Sequence, residues 1–216
     1  MAEPQWPALP TGEIPVWDDG HFTVSGEVVP FLPYSENFEG WDDELTSLHK
    51  REAAGMHPID IASRDNAIAG LKAALKRNPE RILEVGSSDG YLIRDLKAAF
   101  PQATIVGSEV APEALRQIAV EQPGVPLLQL DITNCPLPAG MFDAIVALNV
   151  LEHIEDDSGA LREMARLLRP GGVLLIEVPA GPALYDAYDR QLHHFRRYRM
   201  SDLVAKIADA GLDIVR

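Results

Sequence analysis

The chain has 216 residues, 46% of them hydrophobic, enough to bury a core as one domain with an appendage. Its 33 acidic and 19 basic residues leave a net charge of −14, which repels phosphate backbones and argues against nucleic acid as the main partner. The single Cys135 excludes an intramolecular disulfide and a cysteine-based zinc site, and no metal site is predicted. No apolar run approaches the ~18 residues of a membrane span. The start "MAEPQWPALP" lacks the basic and apolar regions of a signal peptide, so a soluble, cytoplasmic protein is expected.

Residues 1–57 read as an N-terminal arm or cap. They hold Trp6, Trp17 and Trp41, many prolines and little helical periodicity. "EIPVWDDGHFTVSGEVVPF" suggests short strands around the Asp19-Gly20 turn, with the tryptophans as packing anchors. From Pro58 a regular domain, 58–216, is expected. "PIDIASRDNAIAGLKAAL" is an amphipathic helix ending before Asn78-Pro79. Strand "RILEVG" precedes helix "GYLIRDLKAAF", and strand "ATIVGSEV" precedes "APEALRQIAVE", with Pro112 in its first turn. Strands "VPLLQLDI" and "FDAIVALNVL" follow. Helix "SGALREMARLL" stops at "RPGG" before strand "GVLLIEVP". Helix "MSDLVAKIADAG", with Ser201 as N-cap and Gly211 past its end, leads to "LDIVR", the opening of a sixth strand.

These strands are continuous Val/Ile/Leu runs, as expected when helices cover both sheet faces. Strand–helix alternation with short links predicts an α/β fold, a doubly wound, Rossmann-like parallel sheet. Ligands in such sheets bind beyond the C-terminal strand ends. There the chain places Glu84 with "GSSDG", Glu109-Val110, Asp131-Ile132, and Asn149 followed by "VLEHI". A dinucleotide site favours a Gly turn without acids, because its pyrophosphate is anionic. Glu84 and Asp89 instead suit a cationic ligand. Glu109 suits a ribose diol, Asp131 the exocyclic amine of adenine, and Val110 and Ile132 the faces of the ring. Adenine, ribose and a cation without phosphate describe S-adenosylmethionine.

"LEVGSSDG", "GSEVAPEAL", "QLDI", "FDAIVALNVLEHI" and "LLRPGGVLLIEVP", in that order, resemble the class I S-adenosylmethionine-dependent methyltransferases from Pro58 onward. The resemblance implies that Glu84, Gly86, Ser87, Ser88 and Gly90 line the methionine and ribose end, and Leu151 joins the cofactor site. It implies Glu109 on the ribose hydroxyls, Asp131 and Ile132 on adenine, and the Asn149 carbonyl on the methionine ammonium. Arg64 matches an arginine that contacts the methionine carboxylate in ubiquinone-pathway relatives, unless it is simply a helix-surface residue. Ser88 replaces the commoner glycine; a negative φ is expected there, since a positive one costs a non-glycine residue about 1 kcal/mol. S-adenosylhomocysteine would be the product.

The segment after the fifth strand resembles a bacterial subgroup with a His-x-Arg-Arg-Tyr element, matched by His194, Arg196, Arg197 and Tyr198 after Asp189. Its basic residues could hold an anionic acceptor, or could pair with Asp186, Asp189 and Asp202 to brace the loop. Tyr185, Tyr188, His193, His194, Arg196 and Arg197 are the acceptor-pocket candidates. His153 could serve as a general base or as a packing residue. Three functions compete: a small-molecule methyltransferase acting on an O, N or C nucleophile, a nicotinamide oxidoreductase, and a non-catalytic S-adenosylmethionine-binding module. The resembled fold continues beyond a sixth strand, whereas the chain stops at Arg216. Truncation, a homodimer partner or the N-terminal segment is expected to account for the exposed edge.

Overall fold

The computed structural model describes residues 5–35 and 57–215. Trp41 and the rest of 36–56 lie outside them. The arm begins with an antiparallel three-stranded sheet of β1 (Val16–Asp18), β2 (His21–Val24) and β3 (Glu27–Val29), turning at Asp19-Gly20 as its sequence predicts. Both turn residues have positive φ, 47° at Asp19 and 79° at Gly20.

The main sheet has six parallel strands in the order β4-β7-β6-β5-β8-β9. They are β4 (Leu32–Pro33), β5 (Arg81–Val85), β6 (Thr104–Glu109), β7 (Leu127–Gln129), β8 (Phe142–Leu148) and β9 (Leu168–Glu177). The intervening helices are α1 (Pro58–Ala74), α2 (Tyr91–Ala99), α3 (Pro112–Glu121) and α4 (Asp157–Leu167). α5 (Ala187–Gln191) and α6 (Met200–Asp209) follow β9. Strand order reverses at β5, whose neighbours are β6 and β8, and this switch point opens the crevice described below.

Both sheet faces are buried. Ile82 faces a cluster with Leu71, Ile93, Leu96 and Ile118, whereas its neighbour Leu83 faces Val106, Leu128, Ile145 and Leu161. Trp6, Phe22, Leu32 and Tyr34 of the arm belong to the second of these clusters. Trp6 and Trp17 both pack edge-on to Phe22, at 5.1 and 4.5 Å between ring centroids. Tyr34 Oη donates to the carbonyl of Pro7 at 2.9 Å. The arm therefore shares the domain's core.

Four expectations are corrected. Leu212–Val215 form no strand; the sixth strand of the sheet is β4, from the arm. That strand covers the edge beside β7, opposite the edge that the expectation left open, and β9 has no second strand partner among the described residues. α4 runs straight into β9, and "RPGG" bulges out where the register shifts between Phe142 and Ala144. Ser201 is not an N-cap: α6 begins one residue after Arg199, and Ser201 Oγ donates to Asp202 instead.

Candidate active site

A cavity of about 400 Å³ opens at the C-terminal ends of β5, β6, β7 and β8. Its wall includes Glu84 through Asp89, Glu109, Val110, Asp131, Ile132, Asn149 and His153, with Ser63 and Arg64 from α1. Each acid sits where an apolar strand stops and the backbone turns. Glu84 is buried, and one of its carboxylate oxygens has no hydrogen-bond partner among the described residues. Burial pushes its carboxyl well above the usual range; the nearby Ser87 hydroxyl offsets part of this, and Glu109 adds to it. An orphaned acid of this kind awaits a donor.

Glu109 fixes the loop geometry. Its Oε2 accepts from the Ser88 amide at 2.9 Å, and its Oε1 from Val110 and Ala111 at 2.6 and 3.2 Å. Burial raises its pKa, against the pull of those three amides. Of roughly four lone-pair positions on a carboxylate, three are thus occupied. Asp131 keeps more in reserve, because Thr133 takes only Oδ1, through its amide at 2.8 Å and its hydroxyl at 2.7 Å.

The turn after β5 differs from expectation at Ser88, whose φ is +44°. The Glu109 bond to its amide holds the serine in the left-handed region that glycine normally fills. Gly86 has φ +77°, and a Cβ there would lie 2.6 Å from Val150 Cγ2, so only glycine fits. Gly90 does not reach the cavity wall. It starts α2 with φ +71°, and its carbonyl accepts from Gln122 Nε2 at 2.6 Å. Leu151 is likewise buried in the core and off the wall. Arg64 does line the cavity, with its Nε 2.8 Å from Asp95 Oδ2.

At the far end, the turn Leu151–His153 faces the segment after α5. The Phe195 amide donates to the Glu152 carbonyl at 2.7 Å, and Tyr198 Oη to the Leu151 carbonyl at 3.1 Å. These bonds bring His194 onto the wall beside Glu152 and His153, with the two imidazoles edge-on at 4.6 Å. Glu152 is a site residue that the sequence reading passed over, although it stands directly beside His153. The loop-bracing alternative describes the arginines: Arg197 Nε meets both Asp189 oxygens at 2.8 and 2.9 Å, and Arg196 pairs with Asp157 at 2.7 Å. Neither arginine lines the cavity, nor do Tyr185, Tyr188 or the exposed His193. Tyr185 Oη instead donates to the His194 carbonyl at 2.7 Å.

Residues 83–176 match the family described as "Methyltransferase domain". The chain is 32% identical over 149 residues to the demethylmenaquinone methyltransferase of Deinococcus radiodurans, covering 66% of this chain and 61% of that protein. It is 32% identical over 129 residues to the trans-aconitate 2-methyltransferase of Azoarcus sp., covering 60% and 48%. It thus spans about half to three-fifths of the length of these curated relatives. Among solved structures, the [4+2]-cyclase SpnF shares the fold with a TM-score of 0.62 and 23% identity, over 76% of this chain and 62% of that one. No helix among the described residues is long and apolar enough to cross a membrane.

Proposed function

We propose that this protein, whose residues 83–176 match the methyltransferase-domain family, is a class I S-adenosylmethionine-dependent methyltransferase that methylates an O, N or C nucleophile of a small molecule. One observation carries the reading: three consecutive strand ends deliver Glu84, Glu109 and Asp131 to one cavity whose only described lysine or arginine, Arg64, is paired with Asp95. That wall suits a cationic nucleoside and opposes a pyrophosphate.

The residues fit the cofactor. The unpartnered Glu84 oxygen suits the methionine ammonium, as does the carbonyl of Asn149 on the same wall. Arg64 stands where a ligand carboxylate would join its pair with Asp95. The remaining lone pair of Glu109 would take a ribose hydroxyl, and Asp131 Oδ2 the adenine amine between Val110 and Ile132. Gly86, Ser87 and Ser88 supply the turn beneath. S-adenosylmethionine carries its methyl on an already electrophilic sulfonium, so the protein's part is alignment and exclusion of water. The acceptor would sit beside Pro179, Leu192 and His194, which line the same cavity. With Arg196 and Arg197 paired to acids, an anionic acceptor has no basic side chain waiting for it from this pair.

Calorimetry and thermal shift with S-adenosylmethionine, S-adenosylhomocysteine and NADH test the reading. A ligand at ~100 times its dissociation constant adds about 2.7 kcal/mol of stability. Both adenosyl ligands should bind, and Asp131→Ala should weaken them at least about tenfold, the loss of one charged hydrogen bond. A response to NADH alone, or undiminished binding by Asp131→Ala, would overturn it.

A further inference from the structure

Glu152, His153 and His194 each offer one ligating atom, and all three atoms lie within 4.8 Å of one another. From this cluster we infer a binding site for a divalent first-row transition-metal ion at the acceptor end of the cavity.

The strongest ground is Glu152. It is fully buried, yet neither carboxylate oxygen is hydrogen bonded by another residue among those described. The charged groups acting on it include the acids Glu177 and Asp189, so negative charge gathers at this point. A buried carboxylate in this state costs several kcal/mol unless a cation or donor meets it. Arg196 and Arg197 are held on Asp157 and Asp189, so the arginines nearest in sequence to His194 do not supply that cation.

His194 is oriented as a metal ligand would be. Its Nδ1 lies 2.8 Å from Asp189 Oδ1, and Asp189 is itself fully buried and anchored by Arg197 and the Asp186 amide. A carboxylate on Nδ1 fixes the proton there and leaves Nε2 as the lone-pair donor, the usual outer support of a ligating histidine. The backbone bonds from Phe195 to Glu152 and from His194 to Asp189, at 2.7 and 2.9 Å, hold the two halves of the cluster in register. Bonds of about 2.0–2.1 Å to a shared ion would draw the three atoms together by roughly 1 Å. Two imidazoles and one carboxylate select zinc, iron(II), cobalt(II) or nickel(II) over calcium and magnesium. Three protein ligands leave positions open to the cavity. The site itself stands on this geometry; that an acceptor oxygen or nitrogen would occupy the open position rests on the methyl-transfer reading.

The full chain, freed of any affinity tag, is titrated with Co²⁺ and then Zn²⁺. Visible absorption should saturate at one cobalt per chain and be displaced by zinc. Glu152→Gln and His194→Ala should each weaken binding at least about tenfold, while S-adenosylhomocysteine still raises their melting temperature. In the wild-type cobalt form, proton NMR should show paramagnetically shifted ring signals from two histidines, a readout independent of how the variants fold. Absence of saturable binding, equal binding in both variants, or no shifted histidine signals overturns the metal site. Loss of adenosyl binding alone would overturn the cofactor reading and leave the metal site standing.

Discussion

Ser88 occupies the left-handed region at φ +44°, between Gly86 at +77° and Gly90 at +71°. A side chain in that conformation costs about 1–2 kcal/mol, and here the Glu109 carboxylate holds it through the amide. Ser88→Gly should relieve this strain, less the roughly 0.4–1 kcal/mol that glycine's freedom adds to the unfolded chain. The expected net gain is about 0.5 kcal/mol, read as a higher urea midpoint with an unchanged slope. Ser88→Val should move the midpoint the other way, since a β-branched residue tolerates positive φ poorly. The sequence could identify the serine as a departure but not its φ, because that angle is set by Glu109, 21 residues away. The acids themselves were legible for the opposite reason: each stands at the abrupt end of an apolar run, where a parallel strand must emerge at the ligand face. Glu152 lacked such a signal, because its importance comes from His194, supplied by a loop 42 positions downstream.

At the scale of elements, Asp157 ties α4 to α6 and to the loop that carries His194. Its Oδ1 accepts from Lys206 Nζ at 2.7 Å, and its Oδ2 from Tyr198 Oη at 2.9 Å, with Arg196 Nη1 at 2.7 Å. Burial pushes the Asp157 carboxyl up, but the bonds from Lys206, Arg196 and Tyr198 outweigh it and hold it below the usual carboxylate range. A carboxyl lowered by folding stabilises fully above its unfolded value of about 3.9 and loses that contribution as pH falls through its lower folded value. Asp157→Asn should therefore cost about 2 kcal/mol between pH 5 and 7, the magnitude of charged hydrogen bonds. The difference from wild type should shrink below about pH 4, as measured by urea unfolding across that range. None of this network could be read from spacing, since it joins positions 157, 196, 198 and 206 through a loop without periodicity. By contrast, the β5, β6, β8 and β9 runs announced a buried parallel sheet through composition alone. β4 escaped notice because two residues carry no alternation, and "LDIVR" misled because so short an apolar run does not distinguish a strand from an irregular segment.

For the whole molecule, the arm and the Rossmann-like sheet stand or fall together. Leu32 is fully buried in parallel register with Leu128, and Trp6, Phe22 and Tyr34 lie in the same cluster as Val106 and Ile145. Nature supplies separate reporters for the two parts. All three tryptophans precede residue 58, whereas the described helices span 58–209. Tryptophan fluorescence thus reports the arm, and far-ultraviolet circular dichroism mainly the helices of the main domain. If one core serves both, the two signals should trace one transition with a common midpoint in urea. Phe22→Ala removes a ring that touches both Trp6 and Trp17 and should cost about 3–5 kcal/mol. Its decisive consequence is where the loss appears. A shared core lowers the fluorescence and dichroism midpoints equally, and because the cavity hangs on the strand ends of that same sheet, S-adenosylhomocysteine should restore both midpoints together. An arm that merely leans on the domain would melt early in fluorescence and leave the dichroism transition where it was.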